Sequence, residues 1–195
     1  MGMARSEAKG AAQWVDAAYA QFASAGLSSV RVEALARELG TTKGSFYWHF
    51  TGRPQLIEAV MQRWEELETA QAIEIAEAEG NPEERLRALF QAVAARSSMR
   101  QGEVTLYVEA DSEGVGAAVA RVSQRRIDYI TTILLDMGFD RAEAARRATV
   151  TLATVLGLLQ LRAATGERLA VLDDTELIRT AFAMATAPAQ HPRRP

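Results

Sequence analysis

Side chains that can bind an anionic partner are concentrated between residues 42 and 53. Within this stretch the sequence places Thr42, Lys43, Ser45, Tyr47, Trp48, His49 and Arg53. Lysine and arginine pair with phosphate oxygens, and hydroxyl-bearing side chains donate hydrogen bonds to phosphates and to base edges. The segment therefore has the side-chain chemistry of a nucleic-acid contact.

The residues just before this segment predict how it is presented. Val32 and Leu35 belong to the apolar stripe of a short helix, and Gly40 permits the chain to reverse after it. Thr42 can cap a second helix whose first residue is Lys43. Two helices joined by so short a turn must cross steeply, so the pattern predicts a helix-turn-helix over residues 32–50.

The second of these helices has two different faces. At roughly 100° per residue, Phe46 and Phe50 fall on one side, where they are expected to pack inward. The opposite side consists of Gly44, Ser45 and Trp48, flanked by Tyr47 and His49. Gly44 leaves room for close approach, and the first turn of such a helix can meet base edges in the major groove. An exposed aromatic patch also indicates an interaction surface.

The pattern alone leaves other functions open. Short helix pairs with a glycine turn occur in proteins that bind no DNA, and a histidine beside aromatic residues is often structural. A helical interaction module without DNA binding therefore remains an alternative. An enzyme is disfavoured, because the chain has two histidines, no cysteine, no cluster with metal-ligand spacing and no glycine-rich phosphate loop.

The run from Trp14 to Leu56 resembles the DNA-binding domain of TetR-family regulators. The resemblance rests on the end of the first helix at Phe22 to Gly26 and on the motif over residues 43–50, KGSFYWHF. It implies that the third helix reads DNA, with contacts from Thr42, Lys43, Ser45, Tyr47, Trp48 and His49, and that Arg53 touches phosphate. The sequence departs from the family pattern at residues 30–31, where a serine or threonine cap is common. Ser28 or Ser29 is a candidate substitute cap, and the alternative is that Arg31 reaches a phosphate.

Most of the chain is predicted to be helical. Apolar residues recur at intervals of three and four, and about nine helices are expected in an all-α fold. One helix is expected from Arg53 to Glu79, and helix starts are expected near Asn81, Asp140 and Asp173. We predict a three-helix DNA-binding domain over residues 1–52 and a ligand-binding and dimerisation domain over residues 53–195.

The bulk composition agrees with a local DNA contact. The net charge is −3, but residues 1–55 hold six Lys and Arg against four Asp and Glu, so the acidic excess lies in the remainder. We expect no signal peptide and no membrane span, because no apolar run of 18 residues is free of charge. The absence of cysteine fits a cytoplasmic protein, and we predict no cofactor and no metal.

The resemblance implies that the body binds a small-molecule effector. Methionine and aromatic residues line adaptable apolar pockets, and a tyrosine can add a hydrogen bond. The candidate lining residues on the middle helices are Met61, Trp64, Phe90, Met99, Leu106 and Tyr107. Taken singly, each of them is better explained by an ordinary place in the core. The implied function is a repressor that an effector releases from its operator.

The resemblance also implies a homodimer, formed by the long helices near residues 117–137 and 141–165. The second is apolar on nearly every side, which is more than one face of a single subunit requires. A helix buried at the centre of a monomer is the alternative. Two copies would match a palindromic double-stranded operator with two half-sites.

Overall fold

The computed structural model describes residues 3–95, 101–165 and 174–188. Its helices are α1 Met3–Ala25, α2 Val32–Glu38, α3 Lys43–Phe46, α4 Arg53–Glu65, α5 Gln71–Glu77, α6 Pro82–Ala95, α7 Gln101–Glu109, α8 Gly116–Asp136, α9 Arg141–Thr165 and α10 Asp174–Thr186. A 3₁₀ turn, Leu27–Ser29, precedes α2, and a π-helical turn, Glu66–Ala70, joins α4 to α5 in one continuous helical run. The described ranges contain no strand, and with that run counted once the prediction of about nine helices in an all-α fold is confirmed.

Two predicted helix starts are confirmed by their caps. Oδ1 of Asn81 accepts a hydrogen bond from the Glu84 backbone at 2.9 Å, and Oδ1 of Asp140 accepts one from the Glu143 backbone at 3.0 Å. Each cap satisfies one of the amide groups that a helix leaves without an intrahelical acceptor. The starts of α6 and α9 are therefore set by local side-chain chemistry that the sequence alone reveals.

The chain divides into two compact units. The first comprises Met1–Gln71 and Arg96–Ser123, and its core is built from α1, the 3₁₀ turn, α2, α3, α4, α7 and the first part of α8. The largest fully buried side chains of this core are Phe22, Leu27, Leu35, Phe46, Leu56, Met61, Trp64 and Leu106. This division by packing extends beyond residue 52, because α1 packs on both α4 and α7. The division by function at residue 52 stays a prediction.

The second unit comprises Ala72–Ala95 and Gln124–Pro195. In its described part, α10 packs against α6 and α9, around a core that includes Phe90, Ile133 and Leu134. Arg85 on α6 joins two carboxylates, with Nη2 at 2.6 Å from Asp136 and Nη1 at 3.5 Å from Glu77. Hydrogen bonding to Asp136 raises the pKa of Arg85, so this guanidinium stays charged.

Candidate nucleic-acid interface

A four-residue turn sets the angle between α2 and α3. Gly40 has a φ of +63°, a conformation that favours glycine. The Thr41 backbone donates to the Ala36 carbonyl at 2.9 Å, which closes the end of α2. Thr42 is extended, and its Oγ1 accepts a hydrogen bond from the Ser45 backbone at 3.2 Å. The predicted helix-turn-helix and its Thr42 cap are therefore present in the structure.

The second helix of the motif, α3, is shorter than the sequence pattern implies. Regular α-helix ends at Phe46, and residues 47–49 form helical turns. The backbone amides of Trp48 and His49 donate to the carbonyls three residues earlier, at 3.3 and 3.0 Å, so the last turn is tightened. Phe50 still donates to the Phe46 carbonyl at 3.0 Å. Residues 47–50 still lie on the predicted sides of α3, because the backbone keeps turning in the same direction beyond Phe46.

Phe46 and Phe50 form the inward face, as predicted. Both side chains are buried, and their rings stack with centroids 5.3 Å apart. Trp14 of α1 meets the Phe46 ring edge-on at 5.2 Å. Aromatic contacts of this kind add to the stabilisation from burial. They fix α3 on α1 and so determine which residues face outward.

The outward face carries the two most accessible aromatic residues of the helix-turn-helix. Trp48 is 85% exposed and Tyr47 is 56% exposed. A side chain added at Gly44 would meet only Oγ1 of Thr42, at an ordinary 3.5 Å, so the fold itself does not require glycine there. The small residue and the exposed rings leave this surface free for an external partner.

Lys43 forms an ion pair with Glu33 on α2. The two side chains are both exposed, and their hydrogen bond raises the pKa of Lys43 and lowers the pKa of Glu33. No pattern in the sequence identifies Glu33 as the partner of Lys43. Ten residues and a turn separate it from Lys43, so neither helical periodicity nor a motif joins the two. The structure thus places a carboxylate beside the first candidate DNA contact.

A polar cleft opens beside α3. Its volume is about 420 Å³, and it is lined by Ser28, Val30, Arg31, Val32, Glu33, Lys43, Tyr47, Arg53 and Glu113. The exposed Arg31 precedes α2 and makes no side-chain cap. Arginine, lysine and tyrosine side chains that converge in one cleft can bind a phosphate group.

Two other predicted contacts are turned toward the protein. The Arg53 guanidinium bonds to the carbonyls of Leu27 and Val30 and pairs with Glu113. His49 is half-buried against α1, where a Cβ added at Gly10 would lie 2.8 Å from its Nε2. The prediction that Arg53 and His49 touch phosphate therefore stays a prediction, with a structural role evident for each.

The expected substitute caps of α2 are wrong. Ser29 Oγ donates to the carbonyls of Gln21 and Gly26, and Ser28 Oγ donates to Glu109 Oε1 at 3.1 Å. Neither hydroxyl reaches the first amides of α2, because both lie in the 3₁₀ turn, which is bonded to α1 and α7 instead. The residue at the cap position is Arg31.

The predicted ligand-binding residues are divided between the two cores. Met61, Trp64 and Leu106 are buried in the first unit, and Tyr107 packs against them with its hydroxyl 3.2 Å from Ser123 Oγ. Phe90 belongs to the core of the second unit, and Met99 lies outside the described residues. Their role in binding an effector stays a prediction.

Exposed apolar residues lie on α9 and α10. Val150 and Leu161 of α9 and Met184 of α10 are each more than half exposed. A groove of about 260 Å³ between these helices is lined by Glu143, Arg146, Arg147, Val150, Thr151, Thr154, Ala181, Met184 and Ala185. By length and composition alone, α9 could also cross a membrane, a property that core helices of soluble proteins share.

Across residues 3–95, 101–165 and 174–188, no three acidic or histidine side chains come together in a group that could hold a metal ion. The outward face of α3 and the cleft beside it carry hydroxyl, cationic and aromatic groups. These groups can bind an anionic polymer by hydrogen bonding, charge and stacking.

Comparison with known proteins assigns a family to these features. The sequence model described as "Bacterial regulatory proteins, tetR family" matches residues 15–60. The transcriptional regulator SrpR of Pseudomonas putida is 30% identical over 124 residues, which are 62% of this chain and 57% of SrpR. TtgW of the same species, an HTH-type transcriptional regulator, is 30% identical over 120 residues, which are 60% of this chain and 87% of TtgW.

Matches to other proteins extend over less of the relative or show the fold alone. The repressor KstR2 of Mycobacterium tuberculosis is 28% identical over 60% of this chain and 54% of its own length, so the chain matches little more than half of KstR2 or SrpR. A Rhodococcus sp. RHA1 transcriptional regulator superposes with a TM-score of 0.73 at 20% identity, over 90% of this chain and 93% of that one. AibR, solved in complex with isovaleryl coenzyme A and operator DNA, superposes with a TM-score of 0.64 at 18% identity, over 90% of this chain and 97% of AibR.

Proposed function

The chain belongs to the TetR family of bacterial regulatory proteins, and on that basis we propose that it is a transcriptional regulator that binds operator DNA. The observation that carries the proposal is the outward face of α3. Gly44 leaves space there, Trp48 and Tyr47 are exposed, and Thr42 holds the start of the helix. A helix of this kind presents its first turn to the base edges of a major groove.

The proposed DNA contacts fall into two groups. Gly44, Ser45 and Trp48 face the groove, whereas Lys43 and Tyr47 border the cleft that would receive a phosphate. Thr42, His49 and Arg53 complete the set expected from the sequence. Phosphate contacts fix the register of the protein on the duplex, and contacts to base edges supply the specificity.

We propose that two copies bind together to a palindromic operator. The exposed apolar residues of α9 and α10 favour these helices as the contact between the copies, in place of the 117–137 and 141–165 pair expected from the sequence. A symmetric dimer could present two recognition helices roughly 34–36 Å apart, one turn of DNA. The same role would explain why α9 is apolar on nearly every side.

The proposed signal is a small-molecule effector that releases a cytoplasmic repressor from its operator. Its support is the repressor KstR2 among the relatives and the acyl-CoA and DNA bound to AibR. The candidate effector contacts remain Met61, Trp64, Phe90, Met99, Leu106 and Tyr107. An effector that favours one position of α4 would act on the helix-turn-helix directly, since α4 begins just after it. A coupling of about 1–3 kcal/mol would weaken operator binding about 5- to 150-fold.

A fluorescence-anisotropy titration tests DNA binding. The labelled probe is a duplex from the region upstream of the protein's own gene, compared with a scrambled duplex at increasing salt. We expect specific binding that falls steeply with salt and is weakened by Lys43→Ala. Arg121→Ala, which removes an exposed cation from α8, should leave the affinity nearly unchanged. Folded protein that binds neither duplex would support a helical interaction module instead.

A further inference from the structure

The Arg53 guanidinium connects three segments of the first unit. Its Nε donates to the Val30 carbonyl at 2.9 Å, and its Nη2 donates to the Leu27 carbonyl at 2.6 Å. Its Nη1 lies 2.8 Å from Oε2 of Glu113, in the turn that follows α7. Each of the three nitrogens thus faces a different acceptor within the protein. One side chain at the start of α4 joins the connection before α2 to the end of α7.

Reaching a phosphate would take the guanidinium away from all three acceptors. The Glu113 side chain is only 14% exposed, and a largely buried carboxylate is costly to leave without its cation. Leu27 and Val30 are fully buried, so water has little access to the Val30 carbonyl, whereas the Leu27 carbonyl would keep the Val30 amide as a donor, at 3.0 Å. The geometry therefore favours the inward position of Arg53 over the phosphate contact that the family motif implies.

The connection before α2 is attached to α7 at two further points. Ser28 Oγ donates to Oε1 of Glu109 at 3.1 Å. A Cβ added at Gly26 would lie 2.6 Å from Oγ1 of Thr105, so the chain passes very close to α7 there. These contacts and the Arg53–Glu113 pair hold the same stretch, residues 26–30, against the same helix and its following turn.

The start of α2 has no side-chain cap of its own, because Arg31 occupies the cap position. The placement of α2 therefore depends on the residues just before it, and Arg53 donates hydrogen bonds to two of their carbonyls. We infer that Arg53 is a positioning residue that fixes α2 through Leu27 and Val30, and that Glu113 holds Arg53 in place. The inference rests on the proposed DNA-binding function only for its effect on the operator.

Salt dependence of operator binding distinguishes positioning from phosphate contact. Lys43→Ala serves as the reference for a lost phosphate contact. Such a loss makes the slope of log K against log salt shallower by about 0.9. We expect Arg53→Gln and Glu113→Ala each to weaken binding to the upstream duplex about fivefold or more, with the slope unchanged. A shallower slope for Arg53→Gln would overturn the inference. So would tighter binding by Glu113→Ala, the result expected if only a negative charge near DNA were removed.

Amide hydrogen exchange without DNA tests the same inference independently. Both variants should exchange faster than the wild type over residues 27–38, while Arg121→Ala should not. If exchange over residues 27–38 is unchanged in both variants, the positioning role of Arg53 is wrong, even if the protein binds DNA. If the wild type binds no DNA but the exchange effect is present, the proposed function fails and the positioning role stands. Should Arg53→Gln unfold, Glu113→Ala carries the comparison, because it keeps the Arg53 side chain and removes only the carboxylate that holds it.

Discussion

At the scale of single residues, the helix-turn-helix combines buried aromatic rings with ion pairs that engage its cationic side chains. Helical spacing alone places Phe46 and Phe50 in the core, and both are buried. Cap chemistry alone identifies Thr42. The pairs formed by Lys43 with Glu33 and by Arg53 with Glu113 were not predicted, because each joins residues that approach only after the helices pack. These pairs decide which of the cationic groups are free to meet DNA.

The Lys43–Glu33 pair leads to a prediction about affinity. Glu33→Gln should strengthen DNA binding, by up to about fivefold at low salt, because DNA no longer has to displace the carboxylate from Lys43. The dependence on salt should become steeper for the same reason. Anisotropy titrations at several salt concentrations measure both quantities. Glu58→Gln, which removes an exposed carboxylate from α4, is the control; an equal gain in both variants would mean that only net charge matters.

At the scale of secondary-structure elements, local signals locate most helix starts but not the contacts between helices. Caps at Asn81 and Asp140 and the glycine turn at Gly40 all have the predicted geometry. The end of α3 at Phe46 was not predicted, since it depends on a change of hydrogen bonding within a continuous turn. The close approach of α7 to α1 was not predicted either. It occurs at Gly102, to which no pattern in the sequence assigns a role.

Gly102 should be intolerant of any side chain. A Cβ added there would overlap the Phe22 carbonyl oxygen, a backbone atom that cannot move away by changing rotamer. We expect Gly102→Ala to lower the free energy of unfolding by about 1–3 kcal/mol or more, as in overpacked cores. Chemical denaturation measures the change. In Gly80→Ala the added Cβ meets nothing within 4 Å, so a similar loss in that control would contradict the packing argument.

At the scale of the whole molecule, the sequence identifies the family and the fold class, but the packing units differ from the functional division. The sequence separates residues 1–52 from the rest because the motif ends there. Packing instead joins α4 and α7 to α1 in one core. Buried residues such as Trp64 and Leu106 belong to this core, although they lie far from α1 in the sequence. Likewise, the exposed Met184 on α10, together with Val150 and Leu161 on α9, leads us to propose α9 and α10 as the dimer surface.

The dimer surface can be tested by adding charge to it. Val150→Glu combined with Met184→Glu places two carboxylates on the exposed apolar surface of α9 and α10. We expect this double variant to be a folded monomer by light scattering, with much weaker operator binding, because a single recognition helix contacts one half-site. Val108→Glu changes a more accessible apolar residue, on α7, and should stay dimeric. A wild-type monomer, or a dimeric double variant, would exclude this surface.

The most direct test of the central claim, that the outward face of α3 lies against DNA, uses the three tryptophans. Trp14 and Trp64 are 2% and 1% exposed, so the 85% exposed Trp48 dominates the fluorescence that acrylamide can quench. Saturating upstream duplex should abolish most of that quenching, and Trp48→Phe should show little quenching with or without DNA. If the duplex binds and Trp48 remains as quenchable as before, α3 is not the surface that contacts DNA.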